Sequence, residues 1–341
     1  SEDSKTLDEV VVVGFGTQKK VNLTGAVTSV DTKALASRPV SQVGQALQGV
    51  VPGLNLSTPD LGGQLGQTMN VNIRGTGTIG KGSSASPLIL IDGMEGNMNN
   101  LNPEDIENIS VLKDAASSSI YGSRAAFGVI LITTKKGKAG KMQVNYNNSF
   151  RYSGPTSLPN QLDSYRFANY FNDAAINQGG SVIFDEETID RIQKYMAGEI
   201  TTTTIANGTN WHFHEKANDN VNWWKKHFQW AWSNEHNISL NGGTEKLQYY
   251  VSGSYLNQDG NLRYGNDNYK RYNATAKVNT QINKYVDFNI NTKFVRFDLD
   301  NPVYLEEGGL LYHDIARMWP MMPFKDPNGY YMRNGKLNAF S

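Results

Sequence analysis

The stretch Leu101–Gly137, LNPEDIENISVLKDAASSSIYGSRAAFGVILITTKKG, decides the architecture. Asn102 can cap a helix whose first residue is Pro103, and Glu104 and Asp105 fall in the acid-favouring first turn. Ile109–Leu112 is a short apolar run of strand type. Asp114 can cap a second helix over Ala115–Tyr121, which Gly122 can stop in a left-handed conformation. Gly128–Thr134 follows as a continuous strand rich in β-branched residues and ends in the basic pair Lys135–Lys136. Helix, strand, short helix, strand predicts a small α+β domain that closes here, because a region of different character follows.

Composition narrows the class. The 341 residues can hold two domains with cores of their own. Formal net charge is zero, which leaves no electrostatic footprint for nucleic acid. Without cysteine the chain has no disulfide framework and no thiol chemistry. No run of about 18 apolar residues exists, so a membrane-spanning helix is not expected. No secretory signal is present, and Ser1–Ser4 reads as a processed or trimmed start. The alternating strands of a transmembrane β-barrel stay open, and 33 glycines, 17 tyrosines and a charged fraction of 19% favour them.

Upstream of the opening stretch, Leu7–Val13 carries two acids and then four consecutive valines. It reads either as a buried strand or as an extended peptide that adds itself to a partner's sheet edge. A dinucleotide site is excluded, since Lys19 stands where the third glycine of the fingerprint belongs. Leu23–Val30 alternates as a strand. Val43, Ala46, Leu47 and Val50 give Ser41–Val50 one helical face, ended near Gly49 and Pro52–Gly53. Leu54–Ser57, Met69–Arg74 and Pro87–Ile91 are strands, the last turned by Asp92–Gly93. Three polar loops separate them: Thr58–Gln67, Gly75–Ser86 and Met94–Asn100. Lys81 lies in the second, without the glycine spacing of a phosphate loop.

Downstream, Lys141–Gly154 alternates like the first wall strand of a barrel. Pro155–Asn222 interrupts it, with amphipathic helices at Ser164–Ala175 and Asp185–Ala197, too long for a simple turn. Asn222–Trp232, NWWKKHFQWAW, suits a membrane-interface girdle better than a sugar-binding surface. His212, His214 and Glu215 lack a further convincing metal ligand. Four strands recur at His236–Gly242, Lys246–Asn257, Tyr269–Ile282 and Tyr285–Asp298. In the second of these, Tyr249, Val251, Gly253 and Tyr255 share one face, and Tyr250, Ser252 and Ser254 the other. Ser110–Lys113 has the S-x-x-K spacing of a β-lactam-binding serine, but it lies on a strand and has no companion motif, so no enzyme is expected.

LDEVVVVGFGTQKK at Leu7–Lys20, VNIRG at Val71–Gly75, PLILIDG at Pro87–Gly93 and DAASSSIYGSRAAFGVILITTKKGK at Asp114–Lys138 occur in one order. Together they resemble the SusC/RagA family of TonB-linked outer-membrane transporters of Gram-negative bacteria. The resemblance implies an N-terminal tail over 1–20, an α+β plug domain over 21–140 and mainly antiparallel β structure over 141–341. That last part would hold about five strands, with the insertion at 155–222, of a plugged barrel of about 22 strands. The rest of the barrel, and an extra N-terminal domain common in the family, would lie outside this sequence.

The resemblance also implies partners and site residues. Asp8, Glu9, Val10, Val11, Val12 and Val13 would pair edge to edge with TonB, which brings energy from its inner-membrane motor. Gln64, Gln67, Thr76, Thr78, Lys81, Ser83, Ser84, Glu95, Asn97 and Asn99, on the three polar loops, would face the substrate. Neutral donors and acceptors there suit sugar hydroxyls or peptide amides. Arg74 and Lys113 would anchor the plug to wall carboxylates beyond Ser341. The implied function is import of oligosaccharides, with a SusD-like surface lipoprotein as lid. Peptides, or a chelate such as a siderophore or cobalamin complex, are the alternatives within transport. No cofactor or metal is implied. A β-rich surface adhesin is the alternative of another class, and it would not need LDEVVVV on a free terminus.

Overall fold

The computed structural model describes residues 10–13, 16–19, 27–30, 38, 40–57, 64–73, 86–113, 118–302 and 310–332. Along the chain come β1 (Val10–Val13), β2 (Gly16–Lys19), β3 (Val27–Val30), α1 (Val43–Leu47), β4 (Leu54–Ser57) and β5 (Asn70–Ile73). β6 (Leu88–Ile91), β7 (Met94–Glu95), β8 (Ile106–Leu112) and β9 (Val129–Thr134) complete the α+β domain. Its sheet has the order β3-β8-β9-β6-β7, so β9 lies in the middle. β9 runs parallel to β6 and antiparallel to β8. Flanked on both sides, Val129, Ile130, Leu131 and Ile132 are all buried, which is why the strand is an unbroken apolar run.

α1 packs on this sheet through Val43, Ala46 and Leu47, all fully buried. Gly49 and Gly53, at φ +74° and +77°, end the segment after fewer residues than its periodicity predicts. Asn102 caps as expected, its side chain accepting from the Glu104 amide, but the turn it starts is a single 3₁₀ turn, Pro103–Asp105. The chain then enters β8 three residues earlier than its apolar run suggests, because β8 pairs with both β3 and β9. Asp114 lies outside the described residues, and Gly122, at φ +73°, sits inside a 3₁₀ segment, Ser119–Ala125.

The stretch 94–100 differs from the polar loop that its composition predicts. Asp92 (φ +50°) and Gly93 (φ +88°) form a tight left-handed turn, which folds β7 back on β6. Met98 then enters the core and is fully buried, so one thioether outweighs the polar residues around it.

The wall begins at β10 (Gly140–Ser153). α2 (Ser164–Asn177), α3 (Glu186–Met196), the short β11 (Ala206–Asn207) and β12 (Asn210–Trp211), and α4 (Trp223–His227) form the insertion. β13 (Ala231–Gly243), β14 (Leu247–Asp259), β15 (Asn268–Asn283) and β16 (Val286–Asp300) follow, then α5 (Leu310–Arg317). β10-β13-β14-β15-β16 is one sheet. Met142, Val144, Tyr146 and Phe150 stand exposed on one face of β10, and Phe288, Ile290 and Phe294 on one face of β16. This is the lipid-facing half of the period-two pattern. Among the described residues no helix is long and apolar enough to cross a membrane.

Two compact units result. The first joins the α+β domain to residues 140–151, 233–258 and 269–299 of the wall. The second gathers residues 152–232, 259–268 and those from Asp300 on. Inside it, the Trp319 ring meets Phe167, Phe171, Phe184 and His214 in tilted and edge-on contacts at centroid distances of 5.0–5.7 Å. The aromatic stretch at Asn222–Trp232 divides: Trp230 and Trp232 are exposed, whereas Trp223 is core and donates to the Trp319 carbonyl at 2.9 Å. A helix of five residues turns Trp223 and His227 inward, with Trp224 and Phe228 packed against the same cluster, which a girdle reading did not anticipate.

Candidate functional site at the seam between the inner domain and the wall

The inward face of β15 consists of Tyr269, Arg271, Asn273, Thr275 and Lys277, spaced by two as a strand requires and all buried. From one end to the other they meet the α+β domain. Tyr269 lies against Gly66, where an added Cβ would be 2.9 Å from the ring. Arg271 donates to the Asn99 carbonyl at 3.4 Å and Asn273 to the Asn100 carbonyl at 3.4 Å. Thr275 donates to Asp105 Oδ2 at 3.3 Å, and Lys277 to the Thr134 carbonyl at 3.1 Å.

Asp92 is the most heavily engaged acid of the seam. Its carboxylate accepts from the Thr134 amide (2.8 Å) and hydroxyl (2.7 Å), and from Asn291 (3.1 Å) and Lys293 (2.7 Å) of β16. Lys277 Nζ lies 3.0 Å from the same Oδ2. Burial by itself would raise this carboxyl, but the Lys293 and Thr134 hydrogen bonds and the Lys277 charge hold it well below the usual carboxylate range. The left-handed turn aims the carboxylate at the wall.

Two further ties complete the seam. Asp105 accepts from the Tyr250 hydroxyl of β14 at 2.8 Å. Glu235 of β13 sits between Arg151 (3.2 Å) and Arg271 (3.5 Å), and Arg151 reaches on to the Ser41 hydroxyl at 3.0 Å. The contact is therefore almost wholly polar. A buried charge removed from its partner is costly, yet each of these groups can be satisfied by water if the surfaces part. An apolar contact has no such alternative.

The residues expected to act are distributed differently. Asp8, Glu9, Arg74, Thr76, Thr78, Lys81, Ser83 and Ser84 lie outside the described residues. The backbone of Val10–Val13 pairs antiparallel with Gly16–Lys19. Glu95 binds Arg124 at 2.5 Å, and the Asn97 side chain caps the turn at Asn99. Gln64 and Gln67 sit in the segment that leads past Gly66 to β5, and Asn99 gives its carbonyl to Arg271. Lys113 donates to the Pro52 carbonyl within the α+β domain itself. Within the described part of the wall, Asp92 and Asp105 are carboxylates that tie the α+β domain to it. A period-two stripe of Arg271, Asn273, Thr275 and Lys277 was the available sign, and an acid closing the apolar run LILI was its counterpart.

Residues 19–129 match the TonB-dependent receptor plug domain. The chain is 32% identical over its full length to the TonB-dependent receptor SusC of Bacteroides thetaiotaomicron, covering 32% of that protein. It is 30% identical over 96% of its length to the TonB-dependent receptor P39 of Formosa agariphila, covering 28% of it. The RagAB peptide importer in its closed-closed state superposes at a TM-score of 0.71, with 27% identity, over 91% of this chain and 35% of that one. The α+β domain is thus a TonB-dependent receptor plug, and the strands are part of the outer-membrane barrel it sits in. The chain belongs to the SusC/RagA family of TonB-linked outer-membrane transporters and spans about a third of the length of these relatives.

Proposed function

We propose that the full-length protein imports oligosaccharides across the outer membrane, driven by TonB and assisted by a SusD-like surface lipoprotein. The observation that supports this most is the polar seam. A plug that must shift and return is better held by Asp92, Asp105, Lys277 and Lys293, whose groups water can satisfy, than by apolar packing. Asp8–Val13 is the segment that TonB would engage. Because Val10–Val13 pair with Gly16–Lys19, TonB would add to the other edge of that strand or displace the hairpin.

Gln64, Gln67, Asn99 and the loop residues Thr76, Thr78, Lys81, Ser83 and Ser84 are proposed to face the solute. Peptide import is the second reading, favoured by the likeness to the RagAB peptide importer. The test is uptake by cells carrying the full-length gene, with and without Leu7–Val13, on purified oligosaccharides and peptides. Loss of uptake with surface binding retained supports the reading, and the solute class that responds decides between the two. Unchanged uptake in the deletion variant would remove TonB from the mechanism.

A further inference from the structure

The connections of the wall mark its outer end. Residues 244–246 link β13 to β14 and residues 284–285 link β15 to β16, whereas residues 154–230 link β10 to β13 and residues 260–267 link β14 to β15. Short turns of an outer-membrane barrel face the periplasm and long connections face outward, so Tyr152, Trp230 and Trp232 stand at the outer end. Arg151 points inward, donating to Ser41 and Glu235, so Tyr152 faces outward as Phe150 does. Glu235 is likewise inward, which puts Trp232 on the outward face of β13 with Ile238. Closing the barrel sets a further strand beside β10, not over its outer face, and these side chains stay turned to the membrane.

Three rings meet there. Tyr152 lies 5.3 Å from Trp230 and 4.7 Å from Trp232, centroid to centroid, yet all three rings remain more than half exposed. Trp230 is seated directly on Gly154, where an added Cβ would lie 2.6–3.0 Å from the indole. A ring that only anchors a strand in the interface needs no fixed pose. Here a glycine and the neighbouring rings fix the pose before anything binds. Cations stand beside the rings. The bridge between Phe228 and Leu262 brings Arg263 to this segment, its guanidinium donating to the Phe228 carbonyl at 3.4 Å. Lys225 lies on the short helix just before it, and both cationic residues are exposed. The acids of the 259–268 loop are turned onto the loop itself: Asp259 accepts from Asn268 at 2.7 Å and Asp267 from the Leu262 amide at 3.4 Å.

We infer that this patch binds the phosphorylated sugar head group of an outer-leaflet glycolipid. The outward faces of β10 and β13 continue into the lipid-facing band of the wall, so the molecule that reaches these rings is a lipid of the outer leaflet. In a Gram-negative outer membrane that leaflet is built on lipid A, an acylated glucosamine disaccharide that carries phosphate. The C–H face of its sugars packs on the electron-rich faces of Trp230 and Trp232, and its phosphates meet Arg263 and Lys225. A phospholipid offers the phosphate but no sugar face for the rings. The inference rests on the barrel alone and is independent of which solute is imported.

The test uses the full-length protein extracted from outer membranes, with the lipid A and phosphatidylethanolamine it carries counted per protein by mass spectrometry. Trp230→Leu with Trp232→Leu keeps apolar side chains and removes the ring faces. It should lower retained lipid A about fivefold or more and leave phosphatidylethanolamine within about twofold. Lys225→Gln with Arg263→Gln should lower lipid A by about fivefold as well. Heat-dependent migration in SDS checks that each variant is a folded barrel. In a second measurement, p-benzoylphenylalanine in place of Tyr152 keeps an aromatic side chain and captures its neighbour under ultraviolet light in intact cells. The adduct should carry lipid A, and it decides alone if the tryptophan variant does not assemble. No lipid A on the unaltered protein, unchanged retention in either folded variant, or equal loss of both lipids overturns the inference and leaves a plain interfacial girdle. An adduct only with phospholipid, with a lipoprotein or with a second copy of the chain overturns it too.

Discussion

Lys277 Nζ lies 3.0 Å from Asp92 Oδ2, with the lysine side chain 4% and the aspartate side chain 9% exposed. One charge comes from the wall and the other from a turn at the end of a plug strand, so this pair joins two parts of the fold 185 residues apart in sequence. Lys293 shares the same oxygen at 2.7 Å. Asp92→Asn would leave the buried Lys277 without its counter-charge. It should lower the stability of plug docking by about 3–5 kcal/mol, read as a lower Tm and faster proteolysis of the plug in the detergent-solubilised full-length protein. Adding Lys277→Met to Asp92→Asn should recover part of that loss, and a lack of coupling between the two sites would show the pair to be incidental.

The same carboxylate sets a pH dependence. Its folded value lies below its unfolded value of about 3.9, so its contribution is complete above that pH and is lost as pH falls toward the folded value. Protease resistance of the plug should therefore be flat from about pH 7 to pH 5 and should fall below about pH 4. The part of that fall that Asp92→Asn removes is the part this group contributes. Identical acid profiles for the two proteins would assign the whole fall to other carboxylates.

Tyr250→Phe tests the second tie. It removes a hydroxyl that donates to Asp105 Oδ1 at 2.8 Å while keeping the ring. A hydrogen bond to a charged acceptor contributes about 1.5–3 kcal/mol, so the Tm should fall by a few degrees. Thr275 still donates to Oδ2, so the plug should remain seated.

Gly128 is the most constrained backbone position at the start of β9. Its φ is +94°, and a Cβ there would lie 2.8 Å from Ile73 Cδ1 and 2.9 Å from the Leu112 carbonyl. Gly128→Ala combines strain with overpacking against backbone and should cost upwards of about 2 kcal/mol. The expected result is poor accumulation in the outer membrane. Gly49→Ala, also at positive φ but in open space, should be tolerated better.

Trp319→Ala should act on the second unit alone. The ring is shared by Phe167, Phe171, Phe184 and His214, and its loss should cost about 3–5 kcal/mol. Limited proteolysis should then cut within residues 155–222, with the plug and wall fragments still protected. Cleavage beginning in the plug would mean that the units fold as one.

The sequence by itself determined the order of the main strands and the two longer helices. Period-two alternation marked β10 and β13 to β16, and the unbroken apolar run marked β9 as an inner strand, because burial on one face or two leaves that pattern in any strand. Four family-like segments carried the plug. Local composition failed at Met94–Asn100, where a turn of two residues and one buried methionine produced a strand and a core contact from polar sequence. It also could not pair Asp92 with Lys277 and Lys293, or Asp105 with Tyr250 and Thr275. Those partners are chosen by how the plug sits against β14, β15 and β16, and a lone acid after LILI or a lysine on a strand reads the same whether solvated or paired. Only the tertiary structure decides that, because the cost of burying a charge depends on which opposite charge the fold brings within about 3 Å.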